Sequence, residues 1–154
     1  MYINENEIYG SNNQTQKIMV IDFIRKLLYQ YPYLENKIRD REKELLKTDK
    51  ITSYEFIKGN KSIKDISNIL LNDKKLKIYK NRKDFLDKTF KHLKKSYPKV
   101  YNFMIKKYFI RVSNEDIKNE INSTDAGMIE LDLKLIKYIG NKLTYSKNFL
   151  CIKT

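Results

Sequence analysis

The stretch from Ser62 to Tyr97 constrains the fold most strongly, because it contains neither glycine nor proline and carries apolar residues at helical spacing. It opens with Ser62-Ile63-Lys64-Asp65, which resembles a capping box with a carboxylate at the third helical position. A heptad-like seam follows, which is typical of one side of a long helix. Its members are Ile69, Leu76, Tyr79, Leu86, Phe90, Leu93 and Tyr97. We therefore predict a basic linker helix over 61–96, which Asn72-Asp73 could divide into two helices.

The rest of the chain also follows helical spacing, and its four glycines and two prolines are too few for a turn-rich all-β protein. One helix is predicted from Gln14 to Tyr31, and Pro32 is expected to end or bend it, since the residue before a proline is pushed out of the helical region. A second helix over 33–46 and a loop over 47–61 complete a predicted helical hairpin in 14–60. Residues 1–13 have no apolar period and are predicted to be loose. The predicted fold class is all-α.

A C-terminal domain is predicted over 97–143, followed by a tail over 144–154 that could pack on the body or on a second subunit. Its first helix begins at Pro98. Ser113 then caps a short helix, and Asn122-Ser123-Thr124 interrupts the apolar period before Asp125 begins a longer amphipathic helix. This is the helix-turn-helix pattern, although any two antiparallel helices produce the same periodicity.

The net charge of +13 is concentrated in the middle of the chain. Residues 61–96 carry twelve basic and four acidic side chains, a net +8, against +1 for 1–60 and +4 for 97–154. Such a field attracts polyanions, with nucleic acid first and an anionic membrane or acidic protein second. Long cations beside an apolar seam suit phosphate contacts, whereas a solvated lysine-rich face is the alternative interpretation. The cations of this helix that suit phosphate contacts run over 74–95: Lys74, Lys75, Lys77, Lys80, Arg82, Lys83, Lys88, Lys91, Lys94 and Lys95. The first six are the predicted contacts with the DNA backbone.

The usual signs of catalysis are absent from the sequence. His92 and Cys151 are the single histidine and the single cysteine, so no zinc site of ordinary spacing and no internal disulfide can form. The four glycines are isolated and form no phosphate-binding loop. We therefore predict no enzyme activity, no metal and no cofactor. No apolar run of about 18 residues occurs, and the polar, acidic N-terminus is unlike a secretory signal, so a protein of the cytoplasm without membrane contact is expected.

Residues 103–143 resemble the fourth conserved region of bacterial sigma factors, in which a helix ending in an aromatic pair precedes a helix-turn-helix. Within that class the chain is similar to the RinA/ArpU-type activators of late transcription in phages of low-GC Gram-positive bacteria. The matching pieces are Tyr31-Pro32-Tyr33-Leu34, Ile38-Arg39-Asp40-Arg41-Glu42, Phe103 to Phe109 and Asn122 to Leu143. The resemblance implies a regulator that binds double-stranded promoter DNA and recruits host RNA polymerase at the bacterial nucleoid. A homodimer remains open.

The resemblance also implies roles for residues of the C-terminal domain. The second helix of the unit would face the major groove, with the base-side residues Ser123, Thr124, Asp125, Ala126, Glu130 and Lys134. Further contacts with the DNA backbone would come from Lys106, Lys107, Arg111, Lys118 and Lys137. The sequence departs from the family where basic residues are expected, at Ala126, Gly127, Ile129, Glu130 and Asp132. A second hypothesis is therefore a basic helical adaptor that binds an acidic protein partner and has a degenerate helix-turn-helix.

Overall fold

The computed structural model describes residues 14–48 and 63–145 of the chain. Their regular structure is entirely helical, which confirms the predicted all-α class. The helices are α1 (Gln14–Thr48), α2 (Ile63–Asn72), α3 (Lys74–Ser96), α4 (Pro98–Met104), a π-helix (Ile105–Ile110), α5 (Asn114–Glu120) and α6 (Asp125–Tyr145). The predicted loose segment 1–13, most of the predicted loop 47–61, Ser62 of the predicted cap and the tail from 146 lie outside the described residues.

The predicted helical hairpin is wrong, because Gln14–Thr48 is one continuous helix with Pro32 inside it. A proline removes one backbone hydrogen bond and crowds the carbonyl four residues earlier, so it normally ends or kinks a helix. Here the apolar period continues through it, with Leu27 and Leu34 seven residues apart and both buried. Just before the proline, the Tyr31 ring lies edge-on to Phe90, 4.8 Å between centroids, and its hydroxyl donates to Asp87. Tertiary packing on both sides therefore outweighs the local preference of the proline.

The predicted linker helix is divided at Asp73, which overturns the single helix over 61–96 and confirms the alternative break. The Asp73 Oδ2 atom accepts the backbone N–H of Leu76 at 2.8 Å, so it caps the first turn of α3. The same carboxylate accepts two hydrogen bonds from the Arg41 guanidinium, at 2.9 and 3.0 Å. This bidentate hydrogen bond is the main cause that holds the pKa of Asp73 below its usual range. The Asp73 side chain thus marks the break between α2 and α3 and ties α3 to α1.

The described residues form two compact units. In the part of the chain that the structure describes, the smaller unit is 33–48 with 63–84, and the larger unit is 14–32 with 85–145. Within the smaller unit, the Lys80 ammonium also pairs with Glu42 at 3.3 Å. No helix in the described part of the chain is both long and apolar enough to cross a membrane.

The core of the larger unit is built from four helices and the π-helix. Its buried side chains are Ile24, Leu27 and Leu28 from α1, Leu86, Phe90 and Leu93 from α3, Val100, Phe103 and Met104 from α4, Tyr108 from the π-helix, and Leu135, Ile136 and Ile139 from α6. Four of the seven residues of the predicted seam are buried: Leu76, Leu86, Phe90 and Leu93. Ile69 and Tyr79 are half-buried. Tyr97 is 54% exposed, because α3 ends at Ser96 and Tyr97 lies in the junction with α4.

Two substitutions of Asp73 separate the contribution of its charge from the contribution of its helix cap. Asp73→Asn keeps a good N-cap but removes the charge that Arg41 binds, whereas Asp73→Ala removes both, and the lost cap alone costs about 1 kcal/mol. Because the folded pKa of Asp73 lies below its unfolded value, its ionic contribution is fully present above the unfolded pKa and disappears as the pH falls through the folded pKa.

Urea unfolding of the wild type and both variants, from neutral to acidic pH, measures this ionic contribution to the free energy of unfolding. We expect the difference in unfolding free energy between wild type and Asp73→Asn to disappear at acidic pH, while Asp73→Ala remains less stable than Asp73→Asn. A gap that stays constant down to the lowest pH would contradict the ionic role of Asp73.

Candidate nucleic-acid interface

The helix-turn-helix predicted between Ser113 and Leu143 is present, with both caps where the sequence places them. The Ser113 Oγ atom accepts the backbone N–H of Asp116 at 3.2 Å and starts α5. At the start of α6, the Thr124 Oγ1 atom accepts the backbone N–H of Gly127 at 3.0 Å. Local side-chain caps therefore define the first turn of each helix.

The turn between α5 and α6 is a Schellman motif. Asn122 adopts a left-handed conformation, with φ of 51°, a region in which asparagine is among the best-tolerated residues. Its backbone N–H donates to the carbonyl of Asn119 at 3.3 Å, and the N–H of Ser123 donates to the carbonyl of Lys118 at 3.0 Å. These two bonds close the end of α5 and set the direction in which α6 departs.

A small apolar core holds the two helices on α4. Phe103 of α4, Ile117 of α5 and Met128 of α6 are buried together, with Val112, Ile121 and Leu131 packed around them. Between α4 and α5 the chain reverses at Arg111, which is left-handed with φ of 64°. The Val112 N–H donates to the Lys106 carbonyl at 2.8 Å across this reversal. The unit thus has the three-helix arrangement that the sequence predicted.

Asp132 on α6 is buried in the larger unit and is 5% exposed. Its carboxylate accepts the Tyr108 hydroxyl at 2.5 Å and the Arg25 guanidinium at 3.0 Å, and the Lys107 ammonium lies 3.4 Å away. Burial first, and then the neighbouring carboxylate, raise the pKa of the Tyr108 hydroxyl well above its usual range, so it remains a donor. The carboxylate that seemed unfavourable next to DNA is therefore an internal contact that joins α6 to the π-helix and α1.

Gly127 lies in the first turn of α6, next to the side chains of the turn. A Cβ atom on Gly127 would lie 2.3 Å from the Ser123 Oγ atom and 3.3 Å from the Thr124 Oγ1 atom. Real side chains do not approach this closely, so any larger residue at this position requires the Ser123 hydroxyl to move. The cap and the turn thus favour a glycine here.

The predicted base-side residues lie at the turn and along the first turns of α6, but several already have partners. Thr124 caps the helix, and the Ser123 hydroxyl donates to the Thr124 carbonyl at 3.3 Å. The exposed Asp125 lies 3.3 Å from Lys118. Glu130 pairs with Lys134 at 3.3 Å. Ala126 is exposed.

The solvent-facing side of this helix is apolar and acidic. Ile129 is 62% exposed and Leu133 is 39% exposed, one turn apart, and Asp125, Ala126 and Glu130 are also exposed. A helix that reads bases usually presents hydrogen-bond donors to the groove. We therefore assign little sequence discrimination to this face.

In the smaller unit, the predicted backbone contacts divide into exposed and partly engaged cations. Lys74, Lys75 and Lys77 are exposed, whereas Lys80 pairs with Glu42. Arg82 and Lys83 are half-buried, and burial lowers the pKa of the Arg82 guanidinium. The first three are thus the most accessible to a polyanion.

In the larger unit, most of the predicted backbone contacts lie next to acidic or aromatic groups. Lys106 pairs with Glu120 at 2.7 Å, and Arg111 lies over the Tyr29 ring at 5.2 Å. Lys107 pairs with the buried Asp132, and Lys118 pairs with both Glu115 and Asp125 at 3.2 and 3.3 Å. These pairings neutralise part of the local field. Lys137 is half-buried and has no acidic partner in the described part of the chain.

The basic surface of α3 continues into α4, and we name the part without carboxylates the acid-free stretch, residues 88–99. It spans the end of α3 and the start of α4, with five lysines and no acidic residue: Lys88, Lys91, Lys94, Lys95 and Lys99. All five are exposed. The sequence already indicated the first four for phosphate contacts, within 74–95. Lys99 is the addition, because it lies beyond the predicted linker helix, in α4. Among the described residues, no group of three or more His, Cys, Asp or Glu side chains could hold a metal ion.

Asp132 is the residue of this domain whose replacement should cost most. Asp132→Ala leaves the buried Tyr108 hydroxyl without its acceptor, and loss of one partner of a buried charge pair typically costs about 3–5 kcal/mol. We expect the lower end, since Arg25 can reach water. Asp132→Asn retains an acceptor for Tyr108 and should cost less.

Urea unfolding at neutral pH measures both variants, with Asp125→Ala on the same helix as the exposed control. We expect Asp125→Ala to change the unfolding free energy by no more than about 0.5 kcal/mol. Equal effects at the two positions would show that the Asp132 contacts do not stabilise the fold.

Comparison with known proteins identifies no relative of this chain. No protein-family model matches the sequence, and neither a curated protein nor a solved structure is similar to it. The geometry of the helix-turn-helix and the distribution of charge are therefore the observations on which a function can be proposed.

Proposed function

We propose that this protein binds double-stranded DNA and acts as a transcriptional regulator. The observation that carries the proposal is a capped helix-turn-helix in the same compact unit as the acid-free stretch 88–99. Lysines that neutralise phosphates release counterions from DNA, and this supplies affinity without sequence specificity. Helix α6 would provide the shape that fits a groove, with few base contacts of its own.

The resemblance to RinA/ArpU-type activators extends the proposal to a biological setting. There the protein would bind promoter DNA of phage late genes in the host bacterial cytoplasm and recruit host RNA polymerase. An activator needs a surface for protein as well as one for DNA.

Fluorescence anisotropy with a labelled duplex of about 30 base pairs, titrated at several salt concentrations, tests DNA binding. We expect binding at low salt that weakens steeply as salt rises, because the logarithm of the binding constant falls with a slope of about 0.9 per phosphate contact. Upstream DNA of the source genome and a shuffled duplex of equal composition are compared. Absence of binding to every duplex at low salt would end the proposal.

Two triple variants locate the DNA contacts. Lys91→Gln/Lys94→Gln/Lys95→Gln removes three charges from the acid-free stretch, and Lys74→Gln/Lys75→Gln/Lys77→Gln removes three from the smaller unit. Because each lost phosphate contact lowers the salt slope by about 0.9, we expect the first variant to lower it by roughly 2–3 and the second by less. The reverse order would assign the contacts to 74–77.

A second candidate function is a basic helical adaptor that binds an acidic partner protein. The observation in its favour is the exposed pair Ile129 and Leu133 on a helix where donors to bases would be expected. A helix-turn-helix can retain its fold after losing its groove contacts. In that case α6 would bind protein, and the lysines would provide long-range attraction to an acidic surface.

Ile129→Lys distinguishes the two functions, because it adds a cation to the exposed face of α6. If α6 enters the groove, DNA affinity should rise and the salt slope should increase by about 0.9. Leu71→Lys is the matched control, since Leu71 is also an exposed apolar residue and lies in the smaller unit. Equal DNA affinity for the two variants would place α6 away from the DNA and favour the adaptor.

A further inference from the structure

A mostly apolar pocket of about 510 Å³ lies beside α6 in the larger unit, on a different side of that helix from the exposed Ile129. It is bounded by the end of α3, the start of α4 and the middle of α6. Its volume is within the range of about 300–1,000 Å³ typical of small-molecule sites. The apolar part of the lining comes from Leu93, Val100 and Leu131, with Pro98 and the two tyrosine rings beside them.

Three lysines also line this pocket: Lys99, Lys134 and Lys137. Lys134 pairs with Glu130 at 3.3 Å, whereas Lys99 and Lys137 have no acidic partner in the described part of the chain. No acidic side chain lines the pocket. An apolar cavity with only cationic ionisable groups at its wall is complementary to a molecule with an apolar body and a negative head.

Two tyrosine rings add aromatic surface to the same wall. Tyr97 and Tyr138 meet edge to face, 5.9 Å between ring centroids. Tyr97 is 54% exposed although it belongs to the apolar seam of the sequence. Exposed aromatic surface beside a cavity is available for contact with a flat apolar group.

We propose that this pocket binds a small amphipathic organic acid. The apolar or aromatic body of the ligand lies against Leu93, Val100 and Leu131, and its anionic group lies among the three lysines. Helix α6 contributes five of the lining residues: Leu131, Lys134, Lys137, Tyr138 and Asn141. The ligand would therefore contact the second helix of the helix-turn-helix directly.

A ligand in this pocket would also regulate DNA binding. This regulatory consequence rests on the proposed function, whereas the binding of the acid itself does not. Lys134 and Lys137 are predicted DNA contacts, and Lys99 belongs to the acid-free stretch. An anion held by these side chains competes with phosphate for the same charges. By linkage, the ligand weakens DNA binding by the same factor by which DNA weakens ligand binding.

The probe for the binding experiment is 1-anilinonaphthalene-8-sulfonate, whose fluorescence rises in apolar surroundings, and its neutral counterpart is N-phenyl-1-naphthylamine. Isothermal calorimetry gives the stoichiometry with the full chain. We expect saturable one-to-one binding of the sulfonate and weaker binding of the neutral dye, because only the sulfonate contacts the lysines. Backbone amide shifts from Leu131 to Tyr138 in NMR spectra locate the site.

Variants of the wall test the two parts of the pocket separately. Lys99→Gln and Lys137→Gln should each weaken sulfonate binding roughly two- to fivefold, the range for an exposed ion pair, and leave the neutral dye unchanged. Lys91→Gln is the matched control, since Lys91 is exposed on α3 and does not line the pocket. Ser96→Phe should weaken both dyes by filling the cavity, with Asn102→Phe on exposed α4 surface as its control. Circular dichroism confirms that each variant is folded.

The outcomes distinguish binding in this pocket from a general attraction of anions to a basic protein. Several weak sites, equal losses in Lys91→Gln and Lys137→Gln, or shifts outside the pocket would overturn the proposal. If the sulfonate binds as expected and the protein binds no DNA, the pocket stands and the proposed function fails. If both bind, saturating sulfonate should lower the affinity for the duplex, and this effect should disappear in Ser96→Phe. An unchanged affinity would overturn the regulatory consequence alone.

Discussion

The C-terminal domain depends on one buried carboxylate, Asp132, and on the three donors around it. Without a partner this charge would strongly favour an unfolded, hydrated chain, so its burial requires Arg25, Lys107 and Tyr108 to be in place together. These partners come from α1 and from the π-helix, distant in sequence from α6. The contact therefore couples the orientation of the helix-turn-helix to the rest of the larger unit.

Charge in this protein serves two purposes that are separated in the sequence. Lysines near the helix-turn-helix, such as Lys106 and Lys118, pair with carboxylates of the same domain, and each exposed pair contributes little stability. The main effect of this pairing is that positive and negative charges cancel within the C-terminal domain, which leaves a weak electrostatic field around it. The stretch 88–99 has no carboxylate, so its field remains uncompensated along the chain. A basic protein can thus combine a nearly neutral helix, α6, with a strongly positive stretch elsewhere in the same unit.

The parts of the fold that the sequence predicted are those set by near neighbours. They are the cap at Ser113, the break and new cap at 122–124, and the helical period of α6, which all depend on residues within four positions. The parts that it missed depend on distant contacts. Pro32 remains inside a helix because packing holds both sides, and Asp132 is buried because Arg25 lies more than a hundred residues earlier. The sequence indicated phosphate contacts over 74–95 but did not separate the acid-free stretch from the rest, because a window of 36 residues averaged it with the carboxylates before it.

The π-helix at Ile105–Ile110 makes this domain sensitive to chain length as well as to residue type. Its backbone hydrogen bonds run from residue i to i+5, so it holds an extra residue relative to an α-helix. Adjacent residues within it, Lys107 and Tyr108, both reach Asp132. Each residue of an α-helix adds a rotation of about 100°. Loss of a single codon here would relax the segment to an α-helix and turn one of these side chains away from Asp132. Over evolutionary time, the segment should therefore keep its length as well as the two side chains that contact Asp132.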